Sequence, residues 1–285
     1  GNISYNMNKV LKLPENGNYK NRMNGTLFAD DYYAGIGGIA EGERLYSVIG
    51  YKVSHILDND KAASEAMYDE RAAGYDPTTQ TYEKGRKVAG DYEWVDKDGS
   101  GTITAKDQFV LGYLVPTTTG GFNTTVKIKD FEIYASFDYA LGHVIYDRQI
   151  SLVNSGAQSG YLNPTKDVLN YWSASGDAAK TRYARFDVED GSDNGQWNHY
   201  RTSDENTYKG DYLSFRELKV SYNFPRTILN KTQIKAAQVY FSGQNICCFS
   251  QYPGYMTEYS SASRNLSDGN YPQPRIWTLG LNLTF

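Results

Sequence analysis

The chain has 285 residues and a mass of 32.1 kDa, which is room for one large or two ordinary domains. Its 29 Lys+Arg against 33 Asp+Glu leave a formal net charge of −4, with no basic block to track a phosphate backbone, so no nucleic-acid partner is expected. The two adjacent cysteines, Cys247 and Cys248, cannot form a disulfide framework, and no run approaches the roughly 18 apolar residues of a membrane helix. A β-barrel membrane protein stays open. Its strands alternate and leave no hydropathy peak, so a mean hydropathy of −0.62 does not weigh against one.

Period two dominates the chain. Ile3, Tyr5, Met7 and Leu11 alternate with Ser4, Asn6 and Asn8, which predicts a strand over 1–12. This opening has no signal-peptide pattern and reads as an interior stretch of a longer polypeptide. A weaker alternation from Leu45 to Val53 predicts a strand over 43–56. Phe122, Val126 and Ile128 mark 118–129, and Phe131, Ile133, Ala135, Phe137, Tyr139, Leu141 and Ile145 mark 131–147. Over 211–224, Leu218, Val220, Tyr222 and Phe224 share one parity while Leu213 and Phe215 take the other, which predicts a β-bulge near Arg216. A strand over 234–248 points its two thiols to opposite faces. At the C-terminus Trp277, Leu279, Leu281, Leu283 and Phe285 face one way, and Thr278, Gly280, Asn282 and Thr284 the other. About nine residues suit a tilted membrane strand.

The connections differ in length. Lys129-Asp130 and 225–233 are short, whereas 57–117, 148–210 and 250–272 are long and polar. Short turns on one side and long loops on the other is the asymmetry of outer-membrane barrels. If the last strand runs downward, those three long loops fall outside, and 13–42 becomes an awkwardly long periplasmic connection. Seven strands, an odd number, point to part of a larger barrel. The 26 tyrosines, 11 phenylalanines and 4 tryptophans suit strands that cross two membrane–water interfaces. The competing reading is a secreted, calcium-braced β-sandwich that binds carbohydrate, since sandwich strands alternate as well.

One motif carries metal chemistry. Residues 96–107 follow a twelve-residue calcium-loop spacing, with Asp96, Asp98 and Ser100 at positions 1, 3 and 5, Gly101 at 6, the Thr102 carbonyl at 7 and Asp107 at 12. Calcium takes six to eight hard oxygens, which these residues and water can supply. Ser at position 5 and the short Asp at 12 weaken the site against a standard EF-hand, and the extended flank at 91–95 argues against paired helices. The expectation is a structural Ca2+ bracing the 57–117 loop. No catalytic residue is expected: His55, His143 and His199 lack metal or nucleophile spacing, with His143 placed on the outward face of its strand. Tyr171, Trp172, Trp197, Tyr200 and Tyr208 cluster in the 148–210 loop and are candidates for a substrate or partner rim.

Several stretches together resemble one family. Gly90-Asp91-Tyr92-Glu93-Trp94-Val95-Asp96, Asp211-Tyr212-Leu213-Ser214-Phe215-Arg216-Glu217-Leu218, Tyr240-Phe241-Ser242-Gly243-Gln244-Asn245, Tyr271-Pro272-Gln273-Pro274-Arg275 and the closing Leu279-Gly280-Leu281-Asn282-Leu283-Thr284-Phe285 resemble the C-terminal third of SusC/RagA-type TonB-dependent transporters. The opening Gly1–Pro14 stretch fits too, so the likeness covers nearly the whole of 1–285. It implies an all-β fold: an antiparallel transmembrane β-barrel segment, the C-terminal strands of a 22-stranded barrel in the outer membrane of a Gram-negative bacterium. It also implies import of an oligosaccharide or peptide, with a SusD-like surface lipoprotein as partner and TonB coupled through an N-terminal region absent here. Trp277, Leu279, Leu281, Leu283 and Phe285 would then be the barrel's C-terminal signal to the barrel-assembly machinery, with outer-membrane lipid against their side chains. Such a segment does no covalent chemistry.

Overall fold

The computed structural model describes residues 1–23, 36–70, 72–76, 81–147, 150, 165–185, 201–254, 266–267 and 273–285. A six-stranded sheet dominates the described residues. Its strands are β1 (Asn2–Tyr5), β2 (Thr118–Ile128), β3 (Phe131–Leu141), β4 (Tyr212–Asn223), β5 (Ala236–Ser250) and β6 (Ile276–Thr284), in the same order in space as along the chain. Every neighbouring pair is antiparallel. Such a meander needs only hairpin-type connections.

The links sort by length. At one end of the sheet β2 turns into β3 through Lys129-Asp130, where Lys129 adopts φ 53, a left-handed conformation that tight two-residue hairpins require. The 224–235 link, with a single helical turn at Arg226–Leu229, lies at the same end. At the other end Tyr5 faces Thr118, Thr118 faces Leu141, and Tyr212 faces Ser250. Residues 6–117, 142–211 and 251–275 therefore all leave and rejoin the sheet at that end.

Three expected strands change. The 43–56 stretch contributes nothing to the sheet. It breaks into Ser47–Gly50, buried throughout, and Val53–Ile56, which pair with Phe109–Tyr113 and Tyr92–Trp94 in separate small sheets. The first strand ends at Tyr5, and β1 lies directly against β2 with opposite direction. The strand count of the sheet is thus six, and 13–42 belongs to the same long excursion as 57–117. The 131–147 strand also stops early. Gly142 takes φ 80, and Val144–Asp147 forms a separate strand that pairs with Thr207–Lys209. His143, expected on an outward face, is buried beside Gly210 and edge-on to Tyr212 at 6.4 Å.

The bulge falls where the parity switch puts it. Ser136 faces Glu217 while Phe137 faces Phe215, so Arg216 is the extra residue of β4. On the other side Phe215 faces Cys247 and Glu217 faces Gln244. Each register therefore keeps one face apolar along both halves of the strand.

Register then assembles two unlike faces. On one, Phe122, Phe137 and Phe215 stack in a row at centroid distances of 4.7 and 4.5 Å, and Phe131 meets Tyr222 at 4.8 Å nearer the turns. Val126, Ile133, Val220, Phe241 and Leu279 continue it across the strands. Gly243 faces Trp277, and a Cβ there would sit 2.3 Å from the ring. The indole uses that space and stacks on Phe241 at 5.5 Å. The opposite face carries Glu132, Tyr134, Ser136, Asp138, Ser214, Glu217, Lys219, Ser242, Gln238 and Asn282 by the same registers. Its apolar counterpart is open: Trp277, Leu279 and Leu281 are 54%, 77% and 60% exposed.

The long connections pack on themselves. Tyr51, Ile56, Tyr92, Trp94, Ile103 and Ala184 form a core, with Val53, Met67, Trp172 and Ala178 against it. Buried ion pairs tie this unit together: Arg201 to Asp69 at 3.0 Å, Lys87 to Glu93 at 2.5 Å, and Arg22 to Glu43 at 2.5 Å. The Arg201 guanidinium lies over the rings of Trp94 at 4.7 Å and Tyr51 at 4.8 Å.

Candidate functional site

The acidic turn is built from its own backbone. Gly99 and Gly101 take φ 73 and 77, a region where L side chains are strained, and so fold the chain back over Asp96. The Asp96 carboxylate accepts hydrogen bonds from the amides of Gly99 at 2.7 Å, Ser100 at 3.3 Å and Gly101 at 2.8 Å. Those donors, Gly101 first, hold its carboxyl below the usual carboxylate range. Asp98 accepts from Ser100 N at 3.0 Å. Asp107 is fully buried and closes the loop. It accepts from Lys97 N at 2.9 Å and from Thr104 N at 2.7 Å, the latter in a capping box that starts the 3₁₀ turn Ala105–Asp107.

Ligand oxygens of Asp96, Asp98 and Asp107 lie within 4.8 Å of one another. The Ser100 hydroxyl donates to the Thr102 carbonyl at 3.0 Å, so the fourth and fifth expected ligands sit together. A hard-oxygen donor set of this kind fits calcium. Ile103, at position 8, points into the core, and Thr102–Ile103 pairs in parallel with Tyr68–Asp69. The flanks are a short strand, Tyr92–Trp94, and a strand at Phe109–Tyr113, not the helices of an EF-hand.

The described aromatic candidates take different environments. Tyr171 is exposed and bridges to Tyr183. Trp172 is half-buried against the core, beneath Gly90. Tyr208 packs edge-on to Tyr252 at 5.5 Å, and burial pushes its hydroxyl up to about 12. Trp197 and Tyr200 lie outside the described residues. Trp277, Leu279, Leu281 and Leu283 share the open face of β6, and Phe285 follows it, also exposed.

Sequence reading missed a charged constellation on the polar face. The bulge turns Arg216 toward β3, where its guanidinium grips Asp138 through both Nε and Nη2, the latter at 3.1 Å. The Tyr212 hydroxyl reaches the same carboxylate at 3.3 Å. Farther along the same face, toward the short turns, Lys219 lies 4.6 Å over the Tyr240 ring and Lys127 pairs with Glu132 at 3.1 Å. The misplaced parity at Arg216 was the available signal. The partner, 78 residues away, was not.

No protein family model matches the chain. It is 27% identical over 302 residues to TonB-dependent receptor P3 of Formosa agariphila, covering 100% of this chain and 26% of that protein. It is 26% identical over 209 residues to TonB-dependent receptor P26 of the same organism, covering 70% of this chain and 20% of that protein. In fold it is similar to a chain of the RagAB peptide transporter, with a TM-score of 0.62 at 19% identity over 90% of this chain and 24% of the other. The closed-closed state of the RagAB peptide importer gives 0.63 at 19% identity over 99% and 26%. The matched region spans 26% and 20% of the length of these two receptors.

Proposed function

We propose, from a chain that resembles SusC/RagA-type TonB-dependent receptors along its whole length, that this segment is part of the wall and outer rim of an outer-membrane nutrient importer. The observation that carries the reading is the two-faced sheet. Its apolar, aromatic face is solvent-open where a β-sandwich would bury it against a second sheet, and its other face is polar and ion-paired. Facing lipid, the first becomes a hydrophobic band. Facing a lumen, the second offers Arg216, Asp138, Glu217 and Lys219 to water and to whatever fills the barrel.

In this reading the Ile276–Thr284 strand is part of the barrel wall, and the long connections stand outside the cell. They meet a SusD-like surface lipoprotein and the cargo, an oligosaccharide or a peptide. The RagAB neighbours are peptide transporters, which supports cargo of that size. Transport energy arrives through TonB and an N-terminal region. The residues of this segment hold shape and line a path; they make and break no covalent bond.

Asp96, Asp98, Ser100, Thr102 and Asp107 hold a structural calcium in the same reading. When bound, the ion supplies charge neutralisation to three converging carboxylates, and so stiffens the turn that carries Ile103 into the core. The test of the whole proposal is the intact receptor's behaviour. It should need detergent to stay in solution, migrate faster on gels unheated than boiled, and bring down a surface lipoprotein. A full-length protein that is soluble without detergent and migrates identically in both conditions overturns the reading.

A further inference from the structure

Beside the acidic turn lies a half-open cavity of about 500 Å³, a volume within the usual range for small-molecule sites. The cavity shares Asp98 with the acidic turn, and none of its lining residues belongs to the six-stranded sheet. The segment at Tyr19–Asn21, the Phe109–Tyr113 strand and the Lys97–Asp98 corner enclose it, with Ile49, Phe109 and Val110 as an apolar floor. Four basic side chains line it, Lys20, Arg22, Lys97 and Lys106, against two carboxylates, Glu43 and Asp98.

The pairing inside the cavity leaves positive charge over. Glu43 alone serves both Lys20, at 3.1 Å, and Arg22, at 2.5 Å. The Lys97 ammonium has a neutral partner, the Gln108 carbonyl at 2.5 Å, and lies 5.0 Å over the Phe109 ring. Lys106 is exposed, and among the described residues its ammonium has no carboxylate within ion-pair distance. Cations at the edge of an apolar hollow attract an anion and leave a hydrophobic place for its body.

We propose that this cavity binds a small organic carboxylate with an apolar or ring-shaped body. The carboxylate sits toward Lys97 and Lys106, and the body rests on Phe109, Ile49 and Val110.

The test uses the full-length receptor in detergent micelles, with fluorine NMR line broadening of 4-fluorophenylacetate as the readout and the neutral 2-(4-fluorophenyl)ethanol as its control. The wild type should broaden the anion well beyond the alcohol after micelle-only broadening is subtracted. Lys106→Glu, a surface change, should weaken the anion about five- to tenfold, and Val110→Trp, which fills the hollow, should abolish the effect. Both variants are first checked for heat-modifiable migration, and either one that folds suffices. Equal broadening by the two probes, no broadening by the anion, or anion broadening unchanged in a folded variant overturns the proposal.

Discussion

Replacing Leu281 by Arg puts a charge where the proposed wall is most hydrophobic. Leu281 is the middle of five alternate residues from Trp277 to Phe285, and it is 60% exposed on the apolar face. At roughly 3.4 Å per residue that ladder is about 27 Å long. A strand tilt of about 40° leaves about 21 Å along the membrane normal, close to the apolar band of about 25 Å. Leu281 therefore sits near the midplane, where Arg costs about 2–4 kcal/mol, a factor of roughly 30 to 700 in the folded population. Asn282, the next residue, faces the other way and bonds Gln238 at 3.1 Å; Arg there should cost less than about 1 kcal/mol. The assay refolds full-length wild type and both variants into lipid vesicles across a urea series and scores the folded band by heat-modifiable migration. A midpoint shift for Asn282→Arg as large as that for Leu281→Arg refutes the assignment of faces.

Three further outcomes are expected. Asp69→Ala removes a buried carboxylate partner of Arg201 and should destabilise the outer unit by up to about 3–5 kcal/mol, read as faster hydrogen exchange in peptides spanning Tyr51 and Trp94; unchanged exchange contradicts it. Added calcium should slow proteolysis within 57–117, and the Asp96→Ala, Asp98→Ala double variant should lose that protection while the sheet stays intact. The pH dependence concerns Asp58, which accepts from the Ala178 and Gly176 amides. Those bonds, that from Ala178 first, lower its pKa, so its tie between the two long connections is present above the ordinary carboxylate range and lost only as pH falls through the lowered value. Protection of the Gly176 amide should persist at about pH 5 and vanish in strong acid; loss already at pH 5 contradicts the assignment.

The wall was legible because its signal is local. Alternation from Phe131 to Leu141 and from Trp277 to Phe285 reports one apolar face per strand, and the parity switch between Phe215 and Leu218 placed the bulge at Arg216. The 43–56 segment misled for a physical reason. Ser47–Gly50 is buried on both faces, so its apolar content came from burial in a small outer sheet, not from a lipid-facing stripe. The true direction of β1 was hidden too, since it depends on pairing with residues more than a hundred positions on. The shape of the acidic turn was legible, being twelve consecutive residues whose glycines and aspartates dictate their own geometry; its calcium is a proposal. The pairs Arg216–Asp138 and Arg201–Asp69 could not be read, because ion pairs joining distant segments leave no periodicity.

The two outermost strands of the sheet have a consequence for biogenesis. Among the described residues β1 pairs only with β2, and β6 only with β5, so the outer margin of each presents a row of main-chain amides and carbonyls with no described strand beside it. In hydrocarbon such a fringe costs several kcal/mol for each unanswered group. In the proposed setting the sheet is therefore an arc that cannot persist alone in the bilayer. It becomes stable only when strands made elsewhere in the same polypeptide suture both margins, and defects in those remote strands would surface here as failed insertion of a segment whose own sequence is intact.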